Sequence, residues 1–339
     1  MDYVSIAEWV IKSLILILIL LAGFAYLTYY ERKALARLQS RYGPNRAGPF
    51  GLLQPVADGI KLIFKEELIP GQADKLLFIL APIITVIPAL IILAVVPIGG
   101  TITLFGREIS LSIASNINIG ILFITAVTSI SVYGIVLAGW ASNNKYALMG
   151  GIRATAQMIS YELALGLAFI GPILLARSLS IDEIINAQAR MGWFIIYQPL
   201  GVIIFWVATL AEVNRHPFDM PEAEQELTAG YHTEYSGMKF ALFFMAEYIK
   251  MIAVSVILAT LFFGGYRGPF VDQIPLLGPL YLFIKVFLLL FIMIWVRATF
   301  PRLRYDKLMG FGWKFLLPVA LLNVFLTAVL LVLFPGLLR

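Results

Sequence analysis

The sequence predicts an all-α integral membrane protein, a bundle of about eight transmembrane helices with an amphipathic helix at the interface in its first charged loop. Three observations predict it. The chain is 60% hydrophobic and only 13% charged, with mean hydropathy +0.90, outside the range of soluble domains. Its Leu, Ile and Val form continuous runs of about 20 residues, the length that crosses a bilayer as helix, rather than the ten-residue alternating segments of a membrane barrel. Its cations are also unevenly placed: 17 of the 25 Lys and Arg lie in or beside the loops after the first, third, fifth and seventh runs.

The runs are Val10 to Tyr30, Leu76 to Ile98, Ile117 to Gly139, Met158 to Ala176, Phe194 to Ala211, Met238 to Phe263, Leu280 to Val296 and Phe315 to Phe334. The first lacks the flanks of a cleaved signal and reads as a retained helix. By the positive-inside rule the odd-numbered loops face the cytoplasm and both termini lie opposite, in a multi-pass plasma-membrane protein. The reading is a single membrane domain, 1–339, with inner loops at 31–75, 140–157, 212–237 and 297–314.

Zero cysteines exclude disulfides and any iron–sulfur cluster held by this chain alone, and two histidines leave little for haem or metal ligation. Redox centres therefore belong to other subunits. The net charge of +5 is accounted for by orientation in the membrane, so nucleic acid is not a predicted partner.

In the first inner loop, Leu52, Leu53, Val56, Ile60, Ile63 and Phe64 recur at helical spacing while Asp58, Lys61 and Lys65 share another face. An amphipathic interfacial helix fits, with Pro55 tolerated in its first turn. Before it, Arg32, Lys33, Arg37, Arg41 and Arg46 form a basic cluster, and Gly43, Pro44, Gly48, Pro49 and Gly51 punctuate the chain into turns. The second loop carries Lys145 and Arg153 and leads directly to Glu162 at the start of a span.

The third loop sets six carboxylates, Glu212, Asp219, Glu222, Glu224, Glu226 and Glu234, against Arg215. It is either a solvated loop or a place where protons are handled. Crowded carboxylates repel when all are ionised, so some hold protons near neutral pH. Glu162 and Glu247 lie in apolar runs, where an ionisable group costs on the order of 2.5–3.5 kcal/mol at helix centre and tends to face protein or water. Proton relay is the sharper reading of both. The simpler ones are an interfacial carboxylate for Glu162 and a local i,i+3 pair with Lys250 for Glu247. Lys250 and Lys285 are secondary relay candidates, since a lysine can snorkel to the interface. The fourth loop carries Arg297, Arg302, Arg304, Lys307 and Lys314 against Asp306, and its charge either balances the acidic loop in space or simply orients the span.

Four stretches together resemble one family: YYERKALARLQSRYGPNRAGPFGLLQPVADGIKLIFKE, GWASNNKYALMGGIRATAQMISYE, AEVNRHPFDMPEAEQELTAGYHTEYSGMKFALFFMAEY and RATFPRLRYDKLMGFGWKFLLP. This is the respiratory complex I membrane subunit that joins the hydrophilic and membrane arms, subunit 1 in mitochondria and the H subunit in bacterial NADH:quinone oxidoreductase. The histidines of NRHPFD and GYHTEYSG give it a bacterial look. The resemblance implies no redox cofactor on this chain, quinone as substrate, and FMN and iron–sulfur clusters on partner subunits of both arms. It places Arg32, Asp58, Arg215, Tyr248 and Arg297 around a quinone chamber. It makes Glu162, Glu212, Glu222, Glu224, Glu226, Glu234 and Glu247 an acidic route coupling quinone reduction to proton translocation. Val213 stands where the family more often has threonine, a loss of one hydroxyl and of no titrating group. A homologous subunit also serves membrane-bound hydrogenases and F420H2 dehydrogenases. From the residues alone, a stand-alone ion transporter and a structural anchor for a peripheral oxidoreductase also stand.

Overall fold

The computed structural model describes residues 3–104, 107–114, 117–220, 229–271 and 273–334. Among these, helices dominate and there is one short antiparallel hairpin, β1 (Thr101–Leu104) with β2 (Arg107–Ser110). Seven helical stretches are long and apolar enough to span a bilayer, and an eighth apolar helix is shorter.

Helix α1 (Tyr3–Leu38) runs a full two turns beyond its apolar run, so Glu31, Arg32, Lys33 and Arg37 stand on a helix rather than in the predicted loop. Backbone hydrogen bonding simply continues past the point where hydropathy stops. Helix α2 (Gln54–Ile63) is the predicted amphipathic element with Pro55 in its first turn, and its apolar stripe (Val56, Ile60, Ile63) is exposed. Helix α3 (Lys75–Ile91) is capped by Asp74, whose Oδ1 accepts the Leu76 and Leu77 N–H groups.

Next come α4 (Gly120–Ala141) and α5 (Lys145–Ala176), the latter capped by Asn144. The connection predicted at 140–157 is therefore only a tight turn, because polar residues from Lys145 onward are helical. After α6 (Ile181–Met191), the fifth predicted run is broken into α7 (Phe194–Tyr197) and α8 (Pro199–Glu212) by Pro199. Pro199 opens α8 and cannot continue α7. Helix α9 (Gly237–Phe262) is the most buried span, and α10 (Leu277–Thr299) follows. The last span joins α11 (Tyr305–Phe311), a π turn (Gly312–Leu316) and α12 (Leu317–Leu333).

Helix α5 packs against α4, α8 and α12, while α9 packs against α1, α3 and α10. Tyr161, Phe205, Phe243 and Phe262 fill the interior, and α1, α10 and α12 turn Leu18, Ile19, Phe283, Leu288, Phe325 and Val332 outward. Outward-facing apolar side chains of this density fit lipid rather than water.

Beyond the C-terminus of α9, Lys285 Nζ donates to three carbonyls, Phe263 (2.8 Å), Gly265 (2.7 Å) and Arg267 (2.8 Å). It thus caps the C-terminus of α9, where carbonyls lack helical partners. This lysine is not near the carboxylates, so it does not serve as the relay candidate the sequence suggests.

Candidate functional site

The charged connections meet at one end of the bundle. Asn143 Nδ2 donates to Gln72 O (3.2 Å), Lys239 pairs with Glu67 (2.5 Å), Leu303 N–H bonds Pro217 O (3.0 Å), and Asn144 Nδ2 donates to Glu234 (2.7 Å). Glu234 also borders a cleft of about 910 Å³ with Gln72, Trp140, Asn143 and Lys145. Loops distant in sequence thus form one continuous surface.

Buried Gln157 of α5 fixes the turn after α8. Its Nε2 donates to Ala211 O (2.7 Å), Phe218 O (2.8 Å) and Asn214 Oδ1 (3.2 Å). A second constraint holds the following turn: a Cβ on Gly150 would lie 2.5 Å from Gly230 Cα, so α5 and the turn carrying Tyr231 and His232 touch backbone to backbone.

The first turn delivers Arg215, 4% exposed, to Glu31 of α1, 3% exposed, at 3.5 Å. Arg297 of α10 also donates to Glu31, and the Arg215 guanidinium lies 4.2 Å from the centre of the Tyr248 ring. Burial by itself would lower the pKa of Arg215, but Glu31, Tyr248 and Glu247 outweigh it and hold the guanidinium charged well above its ordinary range. Glu31 Oε2 and Arg215 Nη2 are buried without a hydrogen-bond partner among the described residues. Such residual polar capacity suits a site that admits water or a polar ligand. Arg32 meets Asp58 at 2.6 Å, with Gln54 donating to Asp58 at 3.1 Å, so this ion pair ties α2 to α1.

The carboxylates form a second group. Glu162 accepts from Ser129, Glu212 is 5% exposed at the end of α8, and Tyr231 donates to Glu247 at 3.3 Å. Lys250 donates to Ser131 (2.6 Å) and feels the charges of Glu212, Glu247 and Glu162 together. Glu247 thus faces a phenol and a wider field, not only the i,i+3 lysine. It acts on Arg215 as well, so it lies electrostatically between the two groups. Glu222, Glu224 and Glu226 lie outside the described residues.

Glu31, Tyr231 and His232 are site residues that the sequence pattern did not single out. Glu31 was hidden among cations, although a lone acid at the end of a span among four or five bases is itself a signal of pairing. Asp219, counted only as one of the acids, is 2% exposed and acts on both Tyr231 and His232. Arg297 pairs with Glu31, while Arg304 pairs locally with Asp306 at 3.1 Å. Val213 is buried at 2% exposure, a position where a hydroxyl would need a partner. Among the described residues no three His, Asp or Glu are grouped to hold a metal.

Residues 11–328 match the sequence model of the NADH dehydrogenase family. The chain is 50% identical over 336 residues to the NADH-quinone oxidoreductase H subunit of Thermomicrobium roseum, covering 96% of this chain and 97% of that protein. It is 51% identical to the first-numbered H subunit of Geobacter sulfurreducens (94% of each chain) and 54% identical to the H subunit of Protochlamydia amoebophila (90% of this chain, 91% of the relative).

Proposed function

This chain belongs to the NADH dehydrogenase family and is a membrane subunit of an NADH-quinone oxidoreductase complex, and on that premise we propose that it couples quinone chemistry to proton movement at the complex's arm junction. Glu31, Arg215, Tyr248 and Arg297, with the Arg32–Asp58 pair on α2, line the polar wall of the quinone chamber. Glu162, Glu212, Glu234 and Glu247, with Glu222, Glu224 and Glu226 of the same acidic segment, form the route that answers it. The chain acts as one membrane domain, its charged end cytoplasmic and both termini opposite. Quinone is substrate, and FMN and iron–sulfur clusters reside on partner subunits of the two arms.

The observation that carries this reading is the position of Glu247, whose charge reaches both Arg215 and Lys250. A change of charge at the chamber wall is felt through Glu247 by the Glu162–Glu212–Lys250 group. Quinone reduction takes up two electrons and two protons, so drawing those protons from residues of the wall changes the charge there. The chain's own residues orient the quinone head by hydrogen bonds from Arg and Tyr and hold or release protons at the carboxylates.

The test is a complex purified through a tag on this chain, assayed for NADH:quinone reduction and proton translocation in vesicles. Glu247→Gln and Glu212→Gln are each expected to lower coupled turnover by roughly 100-fold or more, the scale of a lost proton-transfer group, while NADH oxidation by an acceptor that bypasses quinone persists. Wild-type rates and proton stoichiometry in both variants would refute the reading.

A further inference from the structure

The acidic segment holds a histidine that the chamber and the carboxylate route leave unused. His216 Nδ1 lies 3.2 Å from Asp219 Oδ2, with the His216 side chain 24% exposed and that of Asp219 3% exposed. The approach is off the line of a hydrogen bond: Nδ1 itself is shut from solvent and has no hydrogen-bond partner among the described residues, so the exposure of the ring lies on its other atoms. One side chain therefore sets a sheltered nitrogen beside a buried carboxylate and keeps its exposure on its other atoms. That bipolar placement suits proton exchange, because the two ring nitrogens can take up and release protons on opposite sides.

Beyond Asp219 the titratable groups continue inward. Asp219 acts on Tyr231 and on His232, and Tyr231 donates to Glu247. The other charged groups about this turn are Arg215 on its own segment and Arg302 and Arg304 on the segment whose Leu303 bonds Pro217.

We propose that His216 exchanges protons between water at the charged surface and Asp219, making it the point at which the buried carboxylate system is loaded. The proposal rests on the proton-coupling reading above. In the step, Asp219 carboxylate takes the proton from Nδ1 as the opposite ring nitrogen takes one from a surface water, whose hydroxide passes to the bulk. Ring rotation or tautomer exchange restores the starting imidazole. Net, one proton moves from water to Asp219 and no electrons are transferred. Neutralising Asp219 then removes a negative charge that Tyr231, and through it Glu247, faces. His216 touches neither quinone nor a redox centre and is a positioning and delivery residue.

The experiment uses the whole complex, comparing wild type, His216→Ala, His216→Asn and Asp219→Asn for quinone reduction and vesicle proton uptake across pH 6 to 8.5, with and without added imidazole. Loss of the imidazole is expected to cut proton-coupled turnover about 100-fold, the low end for general acid–base groups, most steeply above neutral pH where protons are scarce. Imidazole restores His216→Ala but not Asp219→Asn. His216→Asn, polar and non-titrating, shows the same deficit if the alanine variant fails to assemble. Wild-type profiles in both His216 variants, or a loss equal at every pH and indifferent to imidazole, would overturn the proposal while leaving the function reading intact. A wild-type complex that reduces quinone without taking up protons would overturn both.

Discussion

The second histidine differs from the first in its surroundings. His232 lies against Tyr231 (3.9 Å between ring centres), Phe240 (5.5 Å) and Phe243 (5.4 Å), with Nε2 shut from solvent. Burial pulls its pKa from 6.5 down to about 3, against the opposing charge of Asp219. The folded form thus binds fewer protons than the unfolded one between those values. Its contribution is complete above pH 6.5 and is lost as pH falls toward 3, at up to about 1.4 kcal/mol per pH unit. The unfolding midpoint in detergent is expected to drop more between pH 7.5 and 5 for wild type than for His232→Gln; equal drops would contradict this. Gln157→Leu removes the side-chain donor to the Ala211 and Phe218 carbonyls, leaving Ala211 O to the Asn214 N–H, and should cost about 1–3 kcal/mol, seen as a lowered midpoint with Arg215 misplaced. Residues of this kind were only half legible. Arg215 and Glu212 stand out by charge in an apolar chain, whereas Gln157 and Gly150 matter through partners more than 50 residues away that no local pattern reveals.

Helices were legible wherever hydropathy and hydrogen bonding end together. They diverge at α1 and α5, whose ends continue through polar residues, and at α7–α8, where Pro199 breaks an otherwise uniform apolar run. Helix α2 follows its apolar spacing closely because an interfacial helix must segregate its faces. With Ile60 half exposed on the stripe, Ile60→Trp should be quenched by brominated lipid tails, and fluorescence indifferent to them would place α2 away from the bilayer. The approach of α5 to the Tyr231 turn is tighter. Gly150→Ala adds a methyl where only 2.5 Å is free, so a destabilisation of about 1–3 kcal/mol is expected, with the Tyr231–Glu247 contact displaced and coupled turnover reduced. A midpoint unchanged from wild type would show that the turn yields freely.

At the scale of the whole molecule, the charged loops cross-brace one end of the bundle while the opposite end is held by shorter means. The absence of cysteine makes sidedness directly measurable: Asn45→Cys and Gln273→Cys, both exposed and at opposite ends, should react with a membrane-impermeant thiol reagent from opposite sides of sealed vesicles. Labelling of both from one side would contradict the topology. The asymmetry of charge was legible along the chain, but its convergence was not, because it depends on contacts such as Glu31 with Arg215 and Arg297 across three elements. Three carbonyls arranged around Lys285 Nζ form the kind of oxygen cage that elsewhere coordinates a free monovalent cation. Here the cation is covalently attached, so it can be neither washed out nor exchanged for sodium or potassium. This end of the bundle therefore keeps its shape through swings in ionic composition that a bound ion would report.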